Sequence, residues 1–187
     1  MKKCIVLLIL TLATTIAAGA QGTLMPKGGD IGVGASVSTS TSTILGYYHL
    51  SDTLILAPQI GIHYQNFAAK SGSTTTDYPG TWVDIGCGLY WTVLPFEAVS
   101  LQVGPALEIA YRGYTDTTDG DDKTFTYWAL NLNARVVAMI SKNFGFFTTF
   151  GAYYSSADTE DKTTSTGIVQ TDVGIESVSL GVVYYFK

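Results

Sequence analysis

The stretch Val99–Arg112, VSLQVGPALEIAYR, sorts its side chains into two faces by alternation. One face is apolar, and the other is small or polar. The first face consists of Val99, Leu101, Val103, Pro105, Leu107, Ile109 and Tyr111, and the second of Ser100, Gln102, Gly104, Ala106, Glu108, Ala110 and Arg112. A repeat of two residues predicts a β-strand, because the side chains of an amphipathic helix recur at about 3.6 residues.

The length of this alternation indicates the medium around it. Strands of globular sheets usually have about 5–6 residues, whereas a tilted strand that crosses a bilayer needs roughly 9–11. The pattern in Val99–Arg112 continues beyond that length. We therefore expect a membrane-spanning strand with its apolar face toward lipid.

Seven further stretches repeat the pattern, which predicts an all-β fold: an eight-stranded antiparallel up-and-down transmembrane β-barrel. They are Gly29–Thr39, Thr43–Leu50, Leu54–Phe67, Thr81–Val93, Phe125–Ile140, Phe144–Ser155 and Thr171–Phe186. The facing of the second is ambiguous, and we favour Ile44, Gly46, Tyr48 and Leu50 on the outside. Short turns are expected at Ser51, Leu94 and Ser141, and long polar loops at Ala68–Gly80, Tyr114–Thr124 and Ser156–Gln170.

The composition agrees with a barrel in a membrane. Charged residues make up 13% of the chain, against roughly 25% in soluble domains. The formal net charge of −5 disfavours nucleic acid as a partner. No long apolar run is present after the N-terminal segment, because the apolar residues are dispersed over alternate positions.

The N-terminal segment is typical of an export signal. Residues 1–20 combine a basic start, an apolar core and small residues at a cleavage site. We expect them to be removed, residues 21–27 to form a linker and residues 28–187 to form an outer membrane β-barrel. Cys87 then remains as a single thiol, so the sequence predicts neither an internal disulfide nor a cysteine metal site.

A soluble barrel of the lipocalin type is the main alternative fold, since its strands also alternate. Its outer face contacts water and should carry many charges. Here the less apolar face consists mainly of Gly, Ala, Ser, Gln and Asn, which suits a narrow interior. Pro58 and Pro105 each remove a hydrogen-bond donor from a predicted strand, so we expect local irregularity at both.

The C-terminal run resembles the last strand by which the bacterial outer membrane assembly machinery recognises its clients. Its alternating apolar residues are Val178, Leu180, Val182, Tyr184 and Phe186, and Lys187 after the final aromatic is a departure from that pattern. With the signal and eight strands, the chain is similar to the small outer membrane β-barrel proteins of the OmpA transmembrane-domain and OmpX type. The resemblance implies a Gram-negative outer membrane location, periplasmic termini, and lipid and the assembly machinery as partners.

Charged inward positions are the candidates for a site in the lumen. They are His63, Asp84, Glu108, Arg112 and Arg135, with Asp84 and Glu108 expected at similar heights. An unpaired buried charge costs several kcal/mol, so we expect the carboxylates to pair with the arginines as a polar plug. A proton relay, catalysis and a narrow solute path are the alternatives. We expect no enzyme, because the spacing does not indicate a Ser–His–acid geometry.

The segment DTTDGDD provides acidic candidates for a loop interaction, namely Asp116, Asp119, Asp121 and Asp122. Calcium is an alternative ligand, but the glutamate that closes an EF-hand loop is missing. We interpret the segment as a solvated acidic loop and expect no cofactor or metal.

Two functions remain open. In the first, the protein is a structural or surface-interaction barrel with a largely plugged lumen and polar extracellular loops that meet ligands or surface partners. In the second, it is a narrow channel or carrier for small or hydrophobic solutes. A soluble lipocalin-like binding barrel is a minor third.

Overall fold

The computed structural model is a closed antiparallel β-barrel of eight strand positions, with no helix among the residues that it describes. Those residues are 24–39, 41–71, 74–115, 122–160, 167–175 and 178–186, and side chains are described outside 64–82, 111–125 and 157–170. The strands are β1 (Ile31–Val37), β2 (Thr41–His49), β3 (Leu54–Ser71), β4 (Thr74–Pro95), β5 (Val99–Thr115), β6 (Asp122–Met139), β7 (Phe144–Glu160), β8 (Gly167–Ile175) and β9 (Ser179–Phe186).

Consecutive strands from β1 to β7 pair as antiparallel neighbours, and β9 closes the ring between β7 and β1. The eighth position is divided. β9 lies opposite Phe144–Thr149 of β7, while β8 lies opposite Ala152–Glu160 of the same strand. The predicted eight-stranded barrel is confirmed, but the predicted last strand, Thr171–Phe186, consists of two segments.

The faces of the strands follow the predicted alternation. On β5, Leu107 and Ile109 are exposed while Gln102 and Ala106 are buried. Ile44 of β2 is 61% exposed, which confirms the favoured facing of the second strand. A continuous apolar outer surface is unfavourable in water and is what lipid requires. The alternative of a soluble barrel is therefore wrong.

The strands extend well into the segments predicted as long loops. Pairing of β3 with β4 continues to Ser71 and Thr74, and pairing of β5 with β6 continues to Thr115 and Asp122. These segments are rich in threonine, a β-branched residue that favours strands. Their polarity does not prevent pairing, because the strand ladder is formed by the backbone.

Both prolines cause the expected irregularity on one side only. Pairing of β2 with β3 lapses between Leu45–Gln59 and Tyr48–Leu56, where Pro58 has no N–H to donate. Pairing of β4 with β5 lapses in the same way beside Pro105 and then shifts register between Thr92 and Leu94, a bulge. On its other side, each proline lies within an unbroken ladder.

The short turns at 50–53, 96–98 and 140–143 lie at one end of the barrel, which we call the turn end. Residues of the predicted linker also lie there. The Leu24 N–H donates a hydrogen bond of 2.8 Å to the Glu97 carbonyl oxygen, and Leu24 and Met25 pack against the core. We call the opposite end the far end.

No helix among the described residues is long and apolar enough to cross a bilayer.

Candidate functional site in the barrel lumen

The half of the lumen near the turn end is filled by a set of side chains that we call the Arg135 cluster: Arg135, Tyr47, Tyr90, Phe147 and Tyr185. Each of them is at most 4% exposed. The Arg135 guanidinium carbon lies 4.3 Å from the centre of the Tyr90 ring and 5.2 Å from those of Tyr47 and Phe147. Aromatic rings attract a cation at such distances, which offsets part of the loss of water around the charge.

Hydrogen bonds connect this cluster to the barrel wall. Arg135 Nε donates to Thr149 Oγ1 at 3.1 Å, and Arg135 Nη2 donates to the Tyr90 hydroxyl at 3.3 Å. The Tyr90 hydroxyl also accepts from Asn133 Nδ2 at 3.3 Å. His49 Nε2 lies 3.2 Å from the Tyr185 hydroxyl. Such partners are what allow polar side chains to be buried.

Glycines of β1 and β9 provide the room for the aromatic rings. A Cβ atom on Gly32 would lie 2.8 Å from the Tyr185 ring, and one on Gly34 would lie 2.9 Å from the Tyr47 ring. A Cβ atom on Gly181 would clash with the Phe147 ring. The ring side chains therefore lie directly over bare backbone, which a narrow barrel requires for large inward residues.

The half of the lumen near the far end contains a cavity of about 310 Å³. Hydroxyl, amide, carboxylate and imidazole groups line most of it, and Arg135 and Tyr90 lie at its floor. At roughly 30 Å³ per water molecule, this volume corresponds to about ten waters. The lumen thus combines a packed half and a polar, open half.

His63 and Asp84 are in contact at the cavity wall, with 2.5 Å between His63 Nε2 and Asp84 Oδ2. On the other side of the ring, His63 Nδ1 lies 2.9 Å from Thr41 Oγ1. The register explains this chain, since Thr41 is opposite His63 and Gly61 is opposite Asp84. Gly61 leaves the space that the Asp84 carboxylate occupies. The result is a hydroxyl, an imidazole and a carboxylate in series across β2, β3 and β4.

Glu108 contacts the next inward position along the wall. Gln59 Nε2 donates a hydrogen bond of 2.6 Å to Glu108 Oε1. Gly86 lies between these two residues, and a Cβ atom there would be 2.9 Å from Glu108 Cγ and 3.1 Å from Gln59 Cγ. Glu108 is opposite Gly86, and Asp84 is the next inward position of β4, so the backbone positions of Asp84 and Glu108 are offset by about 7 Å along the strand direction.

The structure brings His63, Asp84 and Glu108 to one wall of the cavity and places Arg135 at its floor. Asp84 contacts His63, and Glu108 contacts Gln59 and Asn131. The pairing of these carboxylates with Arg112 and Arg135 stays a prediction. The side chain of Arg112 lies outside the described residues. So do Asp116, Asp119 and Asp121, and the side chain of Asp122.

Thr41, Gln59 and His49 belong to the lumen networks but were not singled out from the sequence. The same holds for Tyr47, whose ring faces the Arg135 guanidinium, and for Tyr185, whose ring packs against Tyr47. Alternation alone would have placed all of them inward, because each occupies an inward position of its strand. Among the described residues, no group of three or more His, Cys, Asp or Glu side chains is placed to hold a metal ion.

Comparison with known proteins supports the fold. Neither a protein-family model nor a curated protein matches the chain. A major outer membrane protein from Thermus thermophilus superposes with a TM-score of 0.53 at 15% identity, over 84% of this chain and 98% of that one. The N-terminal β-barrel domain of Pseudomonas aeruginosa OprF gives a TM-score of 0.46 at 13% identity, over 86% and 100%. Ail, the attachment invasion locus protein of Yersinia pestis, gives 0.39 at 14%, over 84% and 94%.

Proposed function

We propose that this chain, which has the fold of the small OmpA/OmpX-like outer membrane barrels, resides in a bacterial outer membrane as a structural or surface-interaction barrel with a largely plugged lumen. Its apolar outer surface and its likeness in fold to a major outer membrane protein support this location. Both termini would be periplasmic, because β1 begins and β9 ends at the turn end.

The Arg135 cluster is the observation that carries the plugged lumen. Its rings come from β2, β4, β7 and β9, so they reach the lumen axis from several sides of the wall. Ile55 and Met139, both 0% exposed, fill the space toward the turn end. An eight-stranded barrel encloses an interior just wide enough for side chains to fill. Water would have no continuous path past such a cluster.

Planar-bilayer recordings test the plug. We expect the unmodified protein to be silent or nearly so, and the double variant Tyr47→Ala with Tyr90→Ala to conduct, because two rings of the cluster are then removed. Large, steady and solute-selective conductance of the unmodified protein would reject the plug. Silence of a folded double variant would also reject the Arg135 cluster as the barrier.

A narrow carrier is the second candidate function, and the polar cavity favours it. A carrier needs a second state in which the Arg135 cluster moves aside. Uptake of a small polar solute into protein-containing vesicles, faster than into empty vesicles, would favour the carrier. Uptake equal to that of empty vesicles favours the surface-interaction barrel.

We propose that the Thr41–His63–Asp84 chain is a structural brace and that the protein is not an enzyme. Nucleophilic catalysis also needs donors for the oxyanion. The Thr41 backbone N–H instead donates to Ser38 Oγ at 3.1 Å. Hydrolysis of an activated ester that depends on His63 would overturn this assignment, with His63→Ala compared against the unmodified protein in the same detergent.

The partners proposed for this barrel are lipid around its belt, the assembly machinery at the C-terminal strand, and an extracellular ligand or surface partner at the far end. The acidic segment with Asp116, Asp119, Asp121 and Asp122 is the candidate for the last of these on the basis of sequence alone. Neutralising these four residues together should abolish any far-end binding that depends on their charge, as measured on whole cells.

A further inference from the structure

The barrel wall is incomplete toward the far end. The hairpin of β1 and β2 extends toward the far end only as far as Val37, the last residue of β1, and Thr41, the first residue of β2. In contrast, β3 continues to Ser71 and β8 begins at Gly167. Among the described residues, β8 pairs with β7 alone, and β3 beyond His63 pairs with β4 alone. Within that part of the chain, two strand positions are thus missing between these edges, a gap of about 14 Å for three inter-strand spacings.

This gap extends toward the turn end beyond the level of two outward-facing aromatic side chains, Trp128 and Tyr154. The rings of Trp128 and Tyr154 lie 5.6 Å apart on the outer face, where aromatic side chains mark a membrane interface. Tyr154 is opposite Val173 of β8, and Ile175 lies further toward the turn end. Val173 and Ile175 are 73% and 87% exposed. The edge of β8 therefore reaches lipid depth, where open backbone is tolerated only beside protein or a polar cavity.

The far-end cavity meets the gap at its base. Ser38 and Thr41 from the top of the first hairpin line the cavity, and so do Ile175 and Ser179 from the two sides of the break between β8 and β9. Ile175 is thus exposed on the outside of the barrel and also borders the polar interior. The cavity and the outer surface thus share Ile175 as a common border.

The cavity offers hydrogen-bond acceptors to a ligand. Each carboxylate has about four acceptor sites. The described contacts use one on Asp84, with His63, and two on Glu108, with Gln59 and Asn131. An ammonium group, with three donors and a positive charge, matches this set.

We propose that the cavity and the gap form a binding site for an amphiphile with an ammonium-bearing head group. The head group lies between Asp84 and Glu108, and the acyl chain leaves through the gap past Ile175 and Val173 into the membrane. This assignment depends on the proposed membrane location but is independent of conductance, because the Arg135 cluster forms the floor of the site.

Native mass spectrometry of the folded protein in a neutral glycoside detergent tests the head group. Lysophosphatidylethanolamine should be retained one to one. Lysophosphatidylglycerol, which lacks the ammonium, and glycerophosphoethanolamine, which lacks the acyl chain, should each bind at least about tenfold more weakly, as expected for losing a charged hydrogen bond or apolar burial. Equal retention of both lysolipids would reject the ammonium site, and tight binding of the soluble head group would reject the path through the gap.

The double variant Asp84→Asn with Glu108→Gln should reduce retention of lysophosphatidylethanolamine by about tenfold or more. Asp52→Asn is the matched control, because Asp52 lies at the turn end and the Asn side chain can still accept from the Gly28 N–H. Unchanged retention in the folded double variant would overturn the assignment, as would an equal loss in the control.

A lysophosphatidylethanolamine with a photoreactive acyl chain tests the gap. We expect the label on the peptide that contains Val173 and Ile175. Labelling spread over the apolar outer surface, with Leu107 and Leu132 labelled as strongly as Val173 and Ile175, would overturn the proposed path. Failure of the membrane location itself would be seen differently, as a folded protein that remains monodisperse without detergent.

Discussion

Arg135 is a charged residue in the packed half of the lumen, where it is 2% exposed. Its planar guanidinium can stack on rings and donate several hydrogen bonds at once, which a lysine ammonium cannot do. Tyr90 uses both properties, because its ring lies under the cation and its hydroxyl accepts from it. Arg135 therefore acts in packing as much as in electrostatics.

Arg135→Ala should lower the free energy of unfolding by about 2–5 kcal/mol, the range for removing a large packed side chain. Arg135→Met should recover part of this loss, because an apolar side chain of similar length can occupy a buried charged site without penalty. Denaturant titrations in lipid vesicles, followed by tryptophan fluorescence, measure both. Equal losses in the two variants would mean that the charge, rather than the packing, holds the cluster together.

For individual residues, the sequence predicted which side chains face inward more accurately than it predicted which side chains contact each other. Asp84 and Glu108 were expected near one height, and they lie at consecutive inward positions. The contacts of Arg135 depend on how far an aromatic ring such as that of Tyr90 extends along the lumen over a glycine. Strand alternation carries no information about the direction of such a ring, so the aromatic contacts of Arg135 were not predicted.

The strands themselves show a second level of organisation, in which depth along the strand matters as well as facing. Leu132 is 60% exposed near the middle of β6, and Leu94 is 50% exposed near the turn end of β4. Facing is the same for both residues, so lipid depth is the variable that distinguishes them.

Leu132→Arg should destabilise the barrel by about 2–4 kcal/mol, and Leu94→Arg by about 0–1 kcal/mol, since the cost of a charge facing lipid falls from the midplane to the interface. Thr92→Arg is the inward control and should not follow this depth dependence. Unfolding titrations in vesicles of one lipid give all three values. Similar costs on both faces would reject the register.

Strand position was predictable because period-2 alternation survives wherever one face contacts lipid, as in Val99–Arg112. Strand ends were not. In Ala68–Gly80 the backbone continues to pair after lipid no longer selects the outer residues, so the alternation fades while the strand persists. Polarity therefore did not locate the end of the strand.

The whole barrel has a closed ladder near the turn end and an interrupted one near the far end. The ring of β1 to β7 with β9 removes sheet edges there, which lipid would not tolerate. The sequence predicted the closed ring. It did not predict the gap, because alternation reports the environment of a strand and not which neighbour, if any, pairs with it.

The closed ring should persist in detergent until it is heated. We expect purified protein without residues 1–20 to migrate differently on a gel before and after boiling and to give a β-type circular dichroism spectrum in detergent. The boiled sample is the unfolded control. Identical migration of both samples would argue against a resistant closed barrel.

Closure also constrains when the molecule can fold. Ile31 at the start of β1 pairs with Phe186 at the end of β9. The contact that completes the ring therefore joins residues from nearly opposite ends of the described chain, and such non-local contacts form slowly. No closed barrel can exist until Phe186 has been synthesised, so β1 lacks its final partner throughout synthesis of the described strands.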